Sequence, residues 1–386
     1  MANQISQTIA KAFMELAGAL ETGKLGKQPK IAVTGLGSEH GEQNALEAAL
    51  KAHSRGVDVT LIGRLTHENI TTVQANDECE AHKALETLLE SREIDGVVTM
   101  HYPFPIGVST VGRVITPGRG RELFLATTTG TSSADRVEGL IKNAIYGIIT
   151  AKACGIQNPT VGILNIDGAR QAEIALKQLH QNGYPIAFAS SGRSDGGCIM
   201  RGNDLLAGSC DVMVTDPLTG NVLVKMLSAY TTGGSYESMG YGYGPGIGEG
   251  YDKLVLIVSR ASGAPVIANA MQFTAELVKG DYAGIAKAEF ALANTAGLKG
   301  ILEARKAKNA QASVQTDIIA APAKEVVTFQ LSGIEIMDLE DGVKALWKAG
   351  IYAESGMGCT GPIILVNDAK GEQAAKVLKE GGFITQ

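Results

Sequence analysis

The segment Gly356-Met-Gly-Cys-Thr-Gly-Pro362 sets one thiol, Cys359, between glycines on both sides. Glycine lets a backbone take φ > 0 and approach a ligand closely, so amides around the sulfur can face a reacting group. A thiolate is both a strong nucleophile and a good leaving group, which suits a thioester that is made and then cleaved. The tetrahedral oxyanion of each step needs N–H donors, and the backbone at Gly358, Thr360 and Gly361 offers them. The plainer reading is a structural cysteine in a turn, since free cysteine is among the most buried residue types. Cys198, in Asp195-Gly-Gly-Cys198, also sits among glycines and is the rival nucleophile.

A second segment, Asp216-Pro-Leu-Thr-Gly-Asn-Val-Leu-Val-Lys225, follows an apolar run ending at Thr215. A Thr-Gly-Asn turn that opens a helix leaves amides at the positive end of the helix dipole, where an anion is favoured. Thr219, Gly220 and Asn221, with Lys225 one turn on, are therefore the candidate phosphate ligands. Phosphate that cleaves a thioester must lie beside its carbonyl, so this turn and Cys359 are expected to meet in space. Arg113, Arg119, Arg121, Arg193 and Arg201 are further cationic candidates, with solvated surface charge as their default role. His101 ends an apolar run and could exchange protons, or be structural. Gly35-Leu-Gly-Ser-Glu-His-Gly41 is near a dinucleotide fingerprint but misses its spacing by one residue. The next apolar run ends in Gly63-Arg64, where an acidic ribose ligand belongs. A tight turn is the simpler account.

Strand-like and helix-like stretches alternate around these segments. Strands are predicted at Ile31–Thr34, Val57–Ile62, Ile94–Met100, Leu123–Ala126, Val161–Leu164, Ile186–Ala189, Val212–Thr215, Leu254–Val258 and Val326–Leu331. Helices are predicted near Glu42–Ser54, Cys79–Ser91, Val137–Ala153, Ala169–Gln181, Asn221–Ala229, Pro265–Val278, Tyr282–Ala296, Lys299–Lys308 and Leu339–Trp347. Cys359 should lie in a loop entering a strand-helix unit, with an apolar run at 363–366 and a helix over 368–380. The fold class is α/β, a mostly parallel sheet with helices on both faces. Apolar residues at helical spacing predict an N-terminal amphipathic helix over 4–21, packed on its own domain or a partner subunit. Residues 1–28 form a helical arm, and 29–386 a two-lobed α/β catalytic domain. Eight glycines interleaved with tyrosines between Tyr230 and Tyr251 predict a long loop, either a contact surface or a mobile connection.

Forty acidic against 34 basic residues give 386 residues a net charge of −6 with no basic block, which excludes a nucleic-acid footprint. Five cysteines, odd in number and without a Cys-x-x-Cys pair, argue against a disulfide framework and a zinc site. No signal peptide or long apolar run is present, so a soluble, cytoplasmic chain without a membrane partner is expected. No metal and no tightly bound cofactor is expected.

The segment D-P-L-T-G-N-V-L-V-K at 216–225 resembles the D-G-F-x-G-N-V-x-L-K signature of the phosphate acyltransferases of phospholipid synthesis, and the T-G-N turn of phosphotransacetylases. Arg201-Gly-Asn-Asp204 and Asp211-Val-Met-Val214 extend that likeness, which implies a phosphate acyltransferase or phosphotransacetylase-like fold, related to isocitrate and isopropylmalate dehydrogenases. That family has no cysteine nucleophile. The G-M-G-C-T-G-P loop, the 216–225 segment, the glycine-tyrosine stretch and the length together resemble the alpha subunits of component C of glycine/sarcosine/betaine reductase complexes. This resemblance implies that Cys359 takes an acetyl group as a thioester from carboxymethyl-selenoprotein A, and that inorganic phosphate, the co-substrate, releases acetyl phosphate. It also implies a hetero-oligomer with a component C beta subunit and selenoprotein A. Two alternatives stand beside it: a free-standing phosphate acyltransferase using acyl-carrier or coenzyme A thioesters, and a non-catalytic scaffolding subunit.

Overall fold

Runs of valine and isoleucine separated by amphipathic stretches fold as strands of one sheet with helices on both faces, because such strands are buried on either side. A computed structural model of the chain describes residues 28–192, 196–314, 320–335, 338–358 and 361–384, together with Ala10, Phe13 and Ala17. The N-terminal helix expected over 4–21 lies outside the described residues but for those three, which are helical and exposed. The first elements are β1 (Lys30–Thr34), α1 (Glu42–Ser54), β2 (Asp58–Gly63), β3 (Thr71–Gln74), α2 (Glu78–Glu90), β4 (Gly96–Thr99), β5 (Val108–Ile115), β6 (Glu122–Thr131) and α3 (Arg136–Ala153). Then come β7 (Thr160–Leu164), α4 (Ala169–Gln181), β8 (Ala187–Phe188), β9 (Ile199–Met200), α5 (Gly202–Ala207), β10 (Val212–Val214) and α6 (Pro217–Ala229). The body closes with β11 (Gly244–Ile247), β12 (Val255–Ile257), α7 (Ala264–Lys279), α8 (Tyr282–Thr295) and α9 (Leu298–Val314).

The main sheet has the order β3-β2-β1-β4-β12-β11-β5-β6-β10-β7-β8, with β9 also on β7. Strands β3, β2, β1, β4 and β12 run parallel, and so do β6, β10, β7 and β8. Between these sets lie three antiparallel pairings, β12–β11, β11–β5 and β5–β6. Three reversals give the two parallel sets opposite polarity, so their carboxyl ends open at opposite edges of the sheet. Helices α1, α3, α4, α7 and α8 cover one face, packing Ala48, Ile141, Leu176, Phe273 and Ala293 into the larger core. Helices α2 and α6 cover the other, with Leu85 and Val224 among its buried residues.

The stretch 230–251, expected as a long loop, is only partly one, since Gly244–Ile247 is β11 in the middle of the sheet. Gly244 has φ 90°, and a Cβ there would lie 1.8 Å from the carbonyl oxygen of Val111. The glycine is there because two backbones meet where no side chain fits. Around it Tyr243 is buried, and the Arg113 guanidinium stands 4.6 Å from the centre of the Tyr241 ring. Strand β5 also went unread in the sequence, because Ser109, Thr110 and Gly112 interrupt its apolar run. Its polar groups are satisfied internally: Thr110 and Thr128 hydroxyls share a hydrogen bond of 2.6 Å, and Thr127 Oγ1 donates to the Thr110 carbonyl at 2.6 Å.

A separate three-stranded antiparallel sheet, β13 (Phe329–Ser332), β15 (Gly361–Val366) and β14 (Ala353–Gly358), closes the chain with α10 (Leu339–Lys348) and α11 (Gly371–Glu380). Leu346, Ala353, Ile364, Val366, Ala374 and Leu378 give this unit a core of its own. The strand and helix expected after Cys359 are β15 and α11; β14 was not predicted, as Ala-Glu-Ser-Gly-Met-Gly shows no β-branched alternation. Among the described residues, no helix is long and apolar enough to cross a membrane.

Asp211 ties three elements of the body together. Its carboxylate accepts from the Thr160 amide at 2.8 Å, the Thr160 hydroxyl at 2.6 Å and the Arg121 guanidinium at 2.5 Å. Burial alone would raise its pKa, but Thr160 and Arg121 outweigh burial and hold it below the usual carboxylate value. A depressed carboxyl contributes stability above its unfolded pKa, about 3.9, and loses it as pH falls through the folded value. We therefore expect Asp211→Asn to lower the urea-unfolding free energy by about 2 kcal/mol at pH 7, and the gap to wild type to close below about pH 4. A gap that stays constant down the acid limb would assign the loss to something other than the carboxylate charge.

Candidate active site

The α6 segment leaves β10 with its own cap. Asp216 is the N-cap, Pro217 stands in the first turn, and the Asp216 carboxylate accepts the amides of Leu218 and Thr219 at 3.0 Å each. It also accepts the Thr219 hydroxyl at 2.6 Å. The amides read from the sequence as an open anion site thus already face an anion. Gly220 is buried, and a Cβ there would fall 1.7 Å from the Thr127 carbonyl oxygen, so its smallness lets α6 press onto β6. Asn221 is half-buried and Lys225 lies four residues on, along the same helix face.

Lys225 points toward the other edge of the sheet. Its ammonium lies 3.1 Å from the Ser259 hydroxyl, 3.4 Å from Glu237 and 5.7 Å from the centre of the Tyr243 ring. Burial pulls its pKa down, but Tyr243 and Glu237 raise it further, which keeps it cationic. Glu237 is itself buried and accepts the Ser262 hydroxyl at 2.7 Å. The four expected phosphate ligands therefore divide: Thr219 and Gly220 shape the turn, while Asn221 and Lys225 carry side chains free to face a ligand or, for Lys225, to exchange one partner for another.

Cys359 and Thr360 lie outside the described residues, as does Arg193. The strands that lead to Cys359 are described: β14 and β15 pair antiparallel from Ala353↔Val366 to Gly358↔Gly361. The unit that holds this hairpin is fixed to the body at the first turn of α4. There Glu335 accepts the amides of Gly168, at 3.1 Å, and Arg170, and Asp338 accepts the Gln171 side-chain amide at 2.8 Å. Strands β7 and β10 are parallel neighbours, about 4.8 Å apart, so α4 and α6 start from the same edge. The Cys359 unit and the Thr-Gly-Asn turn thus share one edge of the sheet, with α4 and α6 on its two faces.

The rival thiol is disarmed. Cys198 is buried, its Sγ lies 3.4 Å from the Glu173 carboxylate, and burial together with that charge pushes its pKa up to about 12. Burial likewise lifts Cys210 to about 12 and raises Cys154. Cys79 is exposed, and all four are free thiols. Of the arginines, Arg113 is paired with Glu122 and, at 2.6 Å, Glu276; Arg121 is held by Asp211; Arg201 opens α5, its amide bonded to Asp204; Arg119 is exposed.

The near-dinucleotide turn after β1 does open a helix, α1, but the space past β2 is filled. Glu42 accepts the amides of Arg64 and, at 3.2 Å, Leu65, and binds the Arg64 side chain at 3.1 Å. A ribose would have to displace that carboxylate. A cavity of about 290 Å³ does lie at the carboxyl ends of β1 and β4, lined by Thr34, Leu36, Cys79, His82, Thr99 and His101. It sits between neighbouring strands whose connections diverge, where α/β sheets gather ligands. It opens at the edge opposite the α4 and α6 starts.

Residues 29–365 match the family described as fatty acid synthesis protein. Over 384 residues, 99% of this chain and 100% of the relative, the sequence is 57% identical to the glycine/sarcosine/betaine reductase complex component C subunit alpha of Peptoclostridium acidaminophilum. The chain belongs to that family of alpha subunits. A phosphate acyltransferase of Thermus thermophilus is 28% identical over 236 residues, 51% of this chain and 70% of that one. A branched-chain phosphotransacylase from Enterococcus faecalis V583 overlays 65% of this chain and 99% of its own with a TM-score of 0.47 and 16% identity. The family relationship supports an acyltransferase role in acyl-phosphate chemistry.

Because only thiolates react, the burial of Cys198, Cys210 and Cys154 sets an observable order. With native protein at pH 7.5, alkylation of these three should run at least ~100-fold slower than alkylation of exposed Cys79. Peptide mapping by mass spectrometry measures each rate. Fast labelling of Cys198 would restore it as a nucleophile.

Proposed function

We propose that the chain is the acetyl-phosphate-forming alpha subunit of a hetero-oligomeric glycine, sarcosine or betaine reductase complex. In this reading the carboxymethyl group carried by selenoprotein A ends as an acetyl thioester on Cys359: a dithiol reductant in the complex supplies two electrons that cleave the carbon–selenium bond and itself becomes a disulfide, the carboxyl oxygen leaves as water, and the complex includes a component C beta subunit. The thioester carbonyl is attacked by a phosphate oxygen, and the tetrahedral intermediate collapses with the Cys359 thiolate as leaving group, giving acetyl phosphate and the free thiol. Amides at Gly358, Thr360 and Gly361 are the candidate donors to the oxyanion. Asn221 and Lys225 are the side chains assigned to phosphate, with Thr219 and Gly220 setting the turn; Lys225 reaches it by exchanging Glu237 for the anion.

The reading is carried by one placement: the unit holding the Cys359 hairpin docks at the edge where the α6 turn opens. The 57% identity to a named component C alpha subunit supports it independently. The phosphate acyltransferase relatives favour a second reading, direct use of acyl-carrier or coenzyme A thioesters by a free-standing enzyme.

The two separate on the thiol. Cys359→Ala and Cys359→Ser should abolish phosphate-dependent acetyl release from the purified complex while Cys198→Ala retains it, and mass spectrometry after turnover should find acetyl on the Cys359 peptide. Acyl-coenzyme A or acyl-carrier exchange that persists in Cys359→Ala selects the second reading. Lys225→Ala should raise KM for phosphate about tenfold, the loss of about 1.4 kcal/mol, in steady-state assays that vary phosphate alone. An unchanged KM removes Lys225 from the phosphate site.

A further inference from the structure

Helix α4 starts without a cap of its own. Its N-cap residue is Gly168, in the left-handed region at φ 87°, with no side chain to accept the first-turn amides. The acceptor comes from 167 residues away: Glu335 Oε2 takes the Gly168 amide at 3.1 Å, and its Oε1 takes the Arg170 amide. Asp338 adds the Gln171 side chain at 2.8 Å. Glu335 is only 8% exposed, and both amides it serves belong to the body, whereas its own segment leads into α10 of the C-terminal unit. That unit has a separate core, so this cap is a bond between two packed bodies and not an internal helix detail.

We propose that Glu335 is the positioning residue that docks the Cys359-bearing unit on the body, capping α4 in trans and so setting the thioester at the edge where the α6 turn opens. The proposal rests on Cys359 as the acyl carrier. A cap needed for α4 alone is supplied most simply by Ser, Asp or Asn at its own first position; taking it from another unit makes helix capping and docking the same event. Two amides and the positive end of α4 favour the Glu335 carboxylate, while burial, with Asp167 and Asp338 close by, pushes its pKa up against them.

The test uses the full chain in its complex, with Glu335→Ala, Glu335→Gln and, on the body side, Gln171→Ala. Hydrogen exchange at the Gly168 and Arg170 amides should quicken about tenfold in Glu335→Ala, as for a lost cap and its charge. Acetyl loading of Cys359, read by mass spectrometry, should be unchanged, while single-turnover release of the loaded acetyl by inorganic phosphate slows about tenfold or more. Glu335→Gln keeps one accepting oxygen and should recover part of both effects; it also carries the test if Glu335→Ala fails to fold. Gln171→Ala should move release in the same direction by less. Normal loading with normal release in Glu335→Ala overturns the role of Glu335, and so does an equal loss of loading and release, the mark of a merely structural residue. Absence of acetyl from wild-type Cys359 rejects instead the carrier reading on which the proposal rests.

Discussion

The reversal of strand direction at β11 and β5 decides where the candidate side chains on the main sheet can go. It depends on a backbone contact so close that a Cβ at Gly244 would strike the Val111 carbonyl. With those two strands in the middle, the two parallel sets point opposite ways, and each opens its carboxyl ends at its own edge. The cavity at β1 and β4 belongs to one edge; the starts of α3, α4 and α6 belong to the other. Helix α6 runs away from the second edge, and Lys225, about 9 Å along it from Thr219, turns its ammonium toward Ser259 and Glu237.

Most parallel strands and their helices were legible because each is a short apolar run followed by a 3.6-residue period. Helices α1 and α4 span the residues that the periodicity predicts. The strands that escaped were those whose burial is not apolar. Strand β5 hides its Ser and Thr hydroxyls in internal hydrogen bonds, β11 is Gly-Pro-Gly-Ile, and β14 lacks any β-branched residue. In each, the environment that makes the strand comes from partners distant in sequence, which local pattern does not encode.

The site divides the same way. The turn at 216–221 could be found from its residues, but the Asp-Pro that precedes it is itself a capping signal, and its consequence, that the first amides are taken by Asp216, was legible too. That Cys198 is disarmed was not, since it depends on Glu173, twenty-five residues earlier, being folded against the sulfur. Nor was Glu335, whose partners lie on another unit. Glycines around a thiol describe Cys198 and Cys359 equally; only the fold shows that Cys198 is buried beside a carboxylate.

Three helices start at the edge where β6, β7 and β10 end, and a carboxylate meets each one: Asp135 at α3, Glu335 at α4 and Asp216 at α6. Each supplies the negative charge that a helix start favours. The field at this edge suits anions but is already occupied, so an incoming anion would have to sit beside these carboxylates or take the place of one. Of the three carboxylates, Asp135 and Asp216 cap the helices that follow them directly, while Glu335 comes from the unit that bears the thiol. The charge at this edge is therefore set in part by where that unit sits.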